Sequence, residues 1–503
     1  MDGEDRAGSA PPLRGRAARG AGLALAGWGT SQGLLFVMYV ALARLVTPTD
    51  FGHFAAASII TGVGGLFAES GMTAALINRR DRLEEAASSA FFSLLLAGFL
   101  LSLAALAVAP LVGLFFRSGR VGALSAALSG WLFVRALTVV PDALLQRRFS
   151  FARRVAVDPL GAIAFAAVAI PTCAAGAGAW GLVAGTYASM AMQVVTSWLF
   201  ARTLPRRRLA SVAMWRELAA FARPVLGSEV LRRVAGQLDA IMLGRFSGAA
   251  TLGQYRNGLR LAQQPTNAFV NVGAYVLLPT FARLAKHRVR LATAVRQVFG
   301  ATAAAALPVS AAMIPLGVPI AVLTLGARWR GAGHAIAGLS FLLLGAAVIS
   351  VASEAFKAVG SPGLLVRVHA VNLATTAIGV IAAAIPFGLL GVAIAVSASQ
   401  CITAAYAFEV LTTQIDITWR DLASELVGPA IAAAMMVEAL VALKRVWHPL
   451  EHSEGVGIAL ALALIGIAAV VYVTALAIFD RRRRADARQL VNRLRGLRSR
   501  SAG

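Results

Sequence analysis

Residues 153–208, RRVAVDPLGAIAFAAVAIPTCAAGAGAWGLVAGTYASMAMQVVTSWLFARTLPRRR, decide the class of this protein. Arg153 and Arg154 precede an apolar run over 156–175. The turn around Gly176–Gly181 is uncharged, and a second apolar run over 178–200 ends at Arg202, Arg206, Arg207 and Arg208. No charged side chain lies between Asp158 and Arg202. Each run has roughly the 20 residues that a bilayer core requires. The chain crosses and returns, leaving its arginines on one side, the side that positive-inside bias makes cytoplasmic.

The same unit recurs along the whole sequence. Apolar segments are read at 20–43, 50–78, 86–116, 121–145, 156–175, 178–200, 217–244, 250–281, 291–323, 331–356, 362–385, 388–411, 421–443 and 456–479. Basic clusters fall in alternate loops, among them Arg79, Arg80 and Arg82, then Arg147 and Arg148, then Arg283, Lys286, Arg288 and Arg290. Of 47 basic residues, 31 fall in the tails and inside loops, 8 in outside loops and 8 within segments. The expectation is a multi-pass protein of a bacterial inner membrane with both termini in the cytoplasm.

Composition excludes most other classes. Mean hydropathy is +0.73, 58% of residues are hydrophobic and only 14% are charged, whereas a soluble chain carries about a quarter charged. A net charge of +24 in 503 residues would suit nucleic acid, but the placement of the arginines assigns it to membrane topology, and no nucleic-acid partner is expected. Three of the basic residues are Lys and 44 are Arg; alongside abundant Ala and Gly, that bias is a property of a GC-rich genome and says little about single positions. Cys173 and Cys401 lie in or beside apolar segments and suggest neither a disulfide framework nor a metal. The first apolar segment continues into Arg44 without an A-x-A-like site, so no cleavable leader is expected.

An internal repeat organises the segments. Ala43-Arg44-Leu45 followed by Phe51-Gly52-His53-Phe54 matches Gly244-Arg245-Phe246 followed by Leu252-Gly253-Gln254-Tyr255, offset by 201 residues. Gly27 and Gly227 sit at nearly the same offset. The predicted fold is therefore all-α and integral to the membrane, with about 14 transmembrane helices. Two six-helix lobes related by pseudo-two-fold symmetry are followed by two C-terminal helices. The boundaries are a tail over 1–19, lobes over 20–210 and 211–412, a helix pair over 413–480 and a basic tail over 481–503. Leu490, Val491, Leu494 and Leu497 recur at helical spacing among nine arginines of that tail. The tail reads either as an amphipathic helix on an anionic phospholipid surface or as a solvated topology signal.

Ionisable groups within segments cost about 2.5–3.5 kcal/mol on insertion scales and should face a cavity or a partner. In the eighth segment Asn257, Arg260, Gln264, Asn267, Asn271 and Tyr275 recur at gaps of three and four, one helical face of about 27 Å at 1.5 Å per residue. This stripe reads as the wall of a water-filled cavity, or alternatively as interhelical hydrogen-bonding; Pro265 offers a kink. In the seventh segment Glu229 and Arg233 are spaced to pair, with Asp239 further on. Arg135 has no acid within one turn, which favours an anionic ligand over pure packing. Coupling-proton candidates are Glu69, Glu229, Asp239 and Glu354, with Glu409 a helix-end residue of the same kind. Arg223 and Arg367 suit snorkelling at the inner interface.

No enzyme signature is present: no Walker loop, no H-E-x-x-H and no G-x-S-x-G. His448, Glu451, His452 and Glu454 occupy the longest outside loop and read as a solvated loop rather than a metal site. Neither a cofactor nor a metal is expected.

Thr47-Pro48-Thr49-Asp50-Phe51-Gly52 resembles the L-x-P-x-D-F/Y-G turn of bacterial polysaccharide transporters, the oligosaccharide-lipid flippases of the MOP exporter superfamily. Pro141-Asp142-Ala143-Leu144-Leu145-Gln146-Arg147 with Phe151 is similar to the same family. So are Gln237-Leu238-Asp239, Gly244-Arg245, Leu252-Gly253 with Tyr255, Pro279, and Leu325-Gly326 with Trp329. The resemblance runs in order over roughly 20–410, and Gln237 stands where the family often has Asn. It implies translocation of an undecaprenyl-diphosphate-linked oligosaccharide from the inner to the outer leaflet for exopolysaccharide, capsule or O-antigen-type assembly, alongside polysaccharide assembly proteins. Arg135, Arg233 and Arg260 would attract the diphosphate, and the amides would meet sugar hydroxyls. Competing readings are a lipid II flippase, a drug or cation exporter of the same superfamily, whose cavity would be carboxylate-dominated, and a membrane-embedded polysaccharide polymerase, which would need catalytic residues in an outside loop.

Overall fold

The computed structural model describes residues 33, 35–79, 81–147, 151–220, 233–234, 236–285, 287–361 and 363–479. The N-tail, Glu229 and the basic C-tail lie outside them, as do the side chains of Glu69, Asn267, Asn271 and Tyr275. Among the described residues there is helix and turn but no strand. In chain order the helices are α1 (Leu35–Leu45), α2 (Pro48–Asn78), α3 (Leu83–Phe115), α4 (Gly119–Arg147), α5 (Phe151–Ala174) and α6 (Ala179–Ala201). A segment α7 over 212–220 follows. Then come α8 (Leu238–Phe246), α9 (Gly248–Leu284), α10 (Arg288–Leu325), α11 (Arg330–Gly338), α12 (Leu342–Ala358), α13 (Leu364–Thr412), α14 (Trp419–Trp447) and α15 (Glu454–Phe479).

Local chemistry sets the helix ends. Thr47 caps α2 by accepting the Asp50 amide at 3.2 Å, Pro48 fills the first turn and Asp50 supplies an acid there, each favoured at a helix N-terminus. Thr418 and Asp421 form a reciprocal capping box on α14. α13 has 49 residues, about 74 Å if straight, far longer than a bilayer. It folds back at Gly388, where φ is +54° and ψ −133°. Thr375 Oγ1 meets Ser399 Oγ at 2.7 Å and Asn372 Nδ2 donates to Thr403 at 3.2 Å, pairings that only an antiparallel hairpin allows.

Among the described residues seven helices are long and apolar enough to cross a membrane, and two bent pairs raise this to nine. One of those pairs is α1 with the start of α2, bent by 116°. The chain is a multi-pass helical membrane protein.

The repeat glycines explain how the halves join. A Cβ on Gly52 would lie 1.7 Å from the carbonyl oxygen of Ala249, and one on Gly253 would lie 1.9 Å from that of Pro48. Ala249 stands 201 residues beyond Pro48, as Gly253 does beyond Gly52, so the contact is its own image under the repeat. Such reciprocity is what a two-fold axis imposes on an interface. Glycine is required because α2 and α9 cross backbone to backbone.

Hydrophobic cores show which end is joined. Around this crossing a single core mixes both halves: Tyr39, Ala57 and Leu124 with Leu252, Tyr255, Trp329 and Val392. At the opposite, arginine-rich end the cluster on α2–α4 is separate from the cluster on α9–α14, and it takes in only α7, the opening segment of the second lobe. Leu76, Leu94 and Val140 pack with Met214 and Leu218 of α7, whereas Phe281, Phe299, Phe356 and Phe408 form another cluster. The two halves therefore meet at the crossing end and diverge toward the basic end. α14 and α15 pack on α10 through Ala303, Leu307, Met436 and Leu464, with Tyr472 donating to the Ala304 carbonyl at 2.6 Å.

Candidate functional site

The residues of the repeat, and the parts of the resemblance at Thr47–Gly52, Gly244–Tyr255 and Leu325–Trp329, gather at the crossing end. Trp329 is fully buried, donates its indole N–H to the Ala43 carbonyl at 2.7 Å and stands edge-on to Phe51 at 5.3 Å. Arg44 donates to the Leu323 and Thr324 carbonyls at the end of α10, at 3.0 and 3.2 Å, where the helix dipole favours a cation. Its counterpart Arg245 reaches the end of α3, with its guanidinium 5.7 Å from the Phe115 ring centre. Asp50 pairs with Arg120 at 3.0 Å. At the basic end Arg147 donates to the Leu76 carbonyl at 3.2 Å and closes the C-terminus of α2.

Where the lobes begin to part, α9 presents its polar face toward α1. The Arg260 guanidinium lies 4.2 Å from the centre of the Tyr39 ring, a cation–π distance. Tyr39 donates its hydroxyl to Asn257 Oδ1, and Asn257 Nδ2 donates to the Gly253 carbonyl at 2.9 Å. Asn257 is thus buried in the joint between halves, while Arg260 and Gln264, one turn further toward the basic end, remain exposed together with Gln263. Because Tyr39 belongs to the other lobe, Arg260 makes this contact across the two halves. α9 runs unbroken through Pro265.

Arg135, Asp239 and Glu354 have protein partners. Arg135 Nη1 donates to Gln193 Oε1 at 3.4 Å, linking α4 to α6 within the first lobe. Asp239 is buried, accepts the Tyr255 hydroxyl at 2.7 Å and binds the Ala240 amide at 2.7 Å. Glu354 is buried and pairs with Lys357 at 2.7 Å. Glu409 accepts the Trp419 indole N–H at 2.5 Å. Arg233 lies near the start of α8 with its Nε buried and without a hydrogen-bond partner among the described residues. Between α14 and α15, Glu454 pairs with Arg44 at 2.9 Å and His448 meets Glu451 at 3.2 Å. Among the described residues no three His, Cys, Asp or Glu side chains are grouped to hold a metal.

Tyr39 is the residue that sequence reasoning missed. It sits in an apolar segment where one aromatic hydroxyl carries no periodic signal, and its partner is 218 positions away.

A family profile described as polysaccharide biosynthesis protein matches residues 41–334, well over half of the chain. Succinoglycan biosynthesis transport protein ExoT of Rhizobium meliloti (strain 1021) is 24% identical over 306 residues, 59% of this chain and 60% of that protein. The chain thus matches about three-fifths of that relative's length. Among solved structures, lipid II flippase MurJ in an inward closed conformation superimposes with a TM-score of 0.72 at 14% identity, covering 90% of this chain and 98% of MurJ. An inward-facing multidrug resistance MATE family transporter of the MOP superfamily gives 0.57 at 19% identity, over 76% and 94%. At such identities the likeness is one of fold, and the relatives are transporters rather than enzymes. With that matched span, the chain belongs to the polysaccharide biosynthesis protein family.

Proposed function

We propose that the protein is a flippase carrying an undecaprenyl-diphosphate-linked oligosaccharide from the inner to the outer leaflet of a bacterial inner membrane, by alternating access between its two lobes. The observation that carries this reading is the placement of Arg260. It is an exposed cation on an amide-bearing face of α9, directed at the opposite lobe just below a closed crossing. Positive-inside bias puts the basic end, and both termini, in the cytoplasm, so the lobes open toward the leaflet where the substrate is made. Arg260 and Arg233 would hold the diphosphate. Gln264, Asn267, Asn271 and Tyr275 continue along the stripe and would meet sugar hydroxyls. Glu69 and Glu229 are the coupling candidates that remain once Asp239 and Glu354 are occupied by their partners. The C-tail would lie on anionic phospholipid.

The transport protein ExoT serves succinoglycan biosynthesis by its name, which supports a saccharide cargo. An inside-negative potential favours outward movement of an anion by about 2.3 kcal/mol per charge per 100 mV, so no nucleotide is needed. The test is the sidedness of lipid-linked oligosaccharide in spheroplasts of a deletion strain. Inner-leaflet accumulation rescued by wild type but not by Arg260→Ala is expected. Complete units reaching the outer leaflet but remaining unpolymerised would overturn the flippase reading. Transport in vesicles indifferent to both potential and proton gradient would overturn the driving force.

A further inference from the structure

Two cavities, each lined by residues of both lobes, share one wall. The first is an apolar groove of about 560 Å³. Ile60 and Gly64 of α2, Leu101, Ala104 and Val108 of α3 and Ile241 of α8 border it, and it ends at Phe115 and Phe116. The second is a pocket of about 560 Å³ at the crossing end, bordered by Thr49, His53, Arg117, Ser118, Arg245 and Ser247, with Phe116 again in its wall. Ile241 and Arg245 are four residues apart on α8, so the same helix face lines the groove and then the pocket. The Arg245 guanidinium stands over Phe115 at the boundary between them.

The pocket is uncompensated in charge. Neither Arg117 nor Arg245 pairs with a carboxylate among the described residues, and the nearby Asp50 is taken by Arg120. His53 Nδ1 is buried there without a hydrogen-bond partner among the described residues. The opening residues of α9, Gly248 to Ala250, also line it, and first-turn amides favour an anion. The repeat supplies an internal comparison. His53 corresponds to Gln254, but Gln254 is satisfied by the Arg328 carbonyl and the Ala332 amide at 2.7 and 2.8 Å, beside the fully buried Trp329. The second half has closed the corner that the first half leaves open.

We propose that groove and pocket together form a second lipid site, which takes a lipid with one long apolar chain and a phosphate or diphosphate head. The chain lies against α3 and the phosphoryl group meets Arg117, Arg245 and His53. One groove leading from one cationic pocket matches a single-chain lipid better than a two-chain glycerophospholipid. The cationic pocket lies beyond the Gly52–Gly253 crossing from Arg260 and shares no side chain with it, so head-group binding there is tested apart from Arg260.

The experiment uses the purified full-length protein in phosphatidylcholine nanodiscs with a photoactivatable, tail-labelled prenyl diphosphate, and peptide mapping of the adducts. Labelling within 101–116 is expected, competed by undecaprenyl diphosphate but not by phosphatidylglycerol or inorganic pyrophosphate. Ala104→Trp, which fills the groove, and the double substitution of Arg117 and Arg245 to Ala should each lower that labelling at least tenfold or so, the loss of about 1.4 kcal/mol or more of apolar or charge-assisted contact. Arg117→Lys with Arg245→Lys should restore part of it, and Arg260→Ala should leave it unchanged. Labelling elsewhere, or insensitivity to both substitutions in proteins of unchanged melting temperature, would overturn the site. Equal competition by phosphatidylglycerol would overturn the single-chain assignment, and competition by pyrophosphate alone would overturn a lipid ligand.

Discussion

Replacing Gly52 by Ala sets two physical effects of opposite sign against each other. Gly52 lies inside α2, and Ala in a helix interior is about 1 kcal/mol more favourable than Gly. Propensity alone therefore requires stabilisation. The crossing requires the reverse, because the new Cβ would lie 1.7 Å from the Ala249 carbonyl oxygen, a backbone atom unable to rotate away. Restoring an ordinary contact of 3.4 Å separates α2 from α9 by about 1.7 Å at the crossing. Overpacking of this kind costs about 1–3 kcal/mol, and a backbone obstacle places it at the upper end. The net penalty is about 2 kcal/mol, roughly a 30-fold shift away from the joined arrangement. Because the contact is reciprocal, Gly253→Ala should behave alike, and the double variant should lose less than the sum. Spin labels at Ala175→Cys and Phe387→Cys, in turns of opposite lobes at the crossing end, with Cys173 and Cys401 replaced, would report separation as a second, longer distance. A raised melting temperature with an unchanged distance distribution would refute the close crossing.

Other consequences are separately measurable. Tyr39→Phe removes the hydroxyl that Asn257 accepts across the lobes while keeping the ring beneath Arg260. It should cost about 1 kcal/mol in thermal unfolding yet retain transport, in contrast to Arg260→Ala. Arg296 binds Asp421 at 2.8 Å, Glu425 at 3.0 Å and Ser424 at 3.2 Å, fastening α14 to α10. Arg296→Ala should cost about 1–2 kcal/mol, since the site is partly solvated. Arg296→Lys should recover only part of it in the same melt, lacking the planar fork. Glu354→Gln should lower stability by breaking the pair with Lys357 and leave the proton dependence of vesicle transport unchanged. A flattened pH profile would instead make Glu354 a coupling group.

The segments at 362–385 and 388–411 were legible because Pro386 to Gly391 is an uncharged, turn-forming interruption, and the hairpin at Gly388 follows it. The stripe on α9 was legible as periodicity, and its first two members do meet a neighbouring lobe. What periodicity could not assign was which members are spent on packing. Asn257 and Arg260 are one turn apart on the same face, yet one is sealed between Tyr39 and Gly253 and the other is exposed. Arg135 lacked a partner within its own helix, and Gln193 supplied one from 58 residues away.

The sequence by itself determined that this chain lives in a membrane and that it is built of two related halves, although the segment read at 331–356 is two helices bent by 42°. Those properties follow from local costs, namely the transfer of apolar side chains to lipid, helix caps and turn residues, each paid within a few residues of chain. Only the tertiary structure decided that the halves meet through Gly52 and Gly253 at one end and part at the other. It also decided that Asp239 and Glu354 are already bonded and that a groove runs into an arginine pocket on one side alone. Each of these depends on contacts between positions far apart in the chain, and hydropathy and spacing along a single helix carry no record of what packs against it.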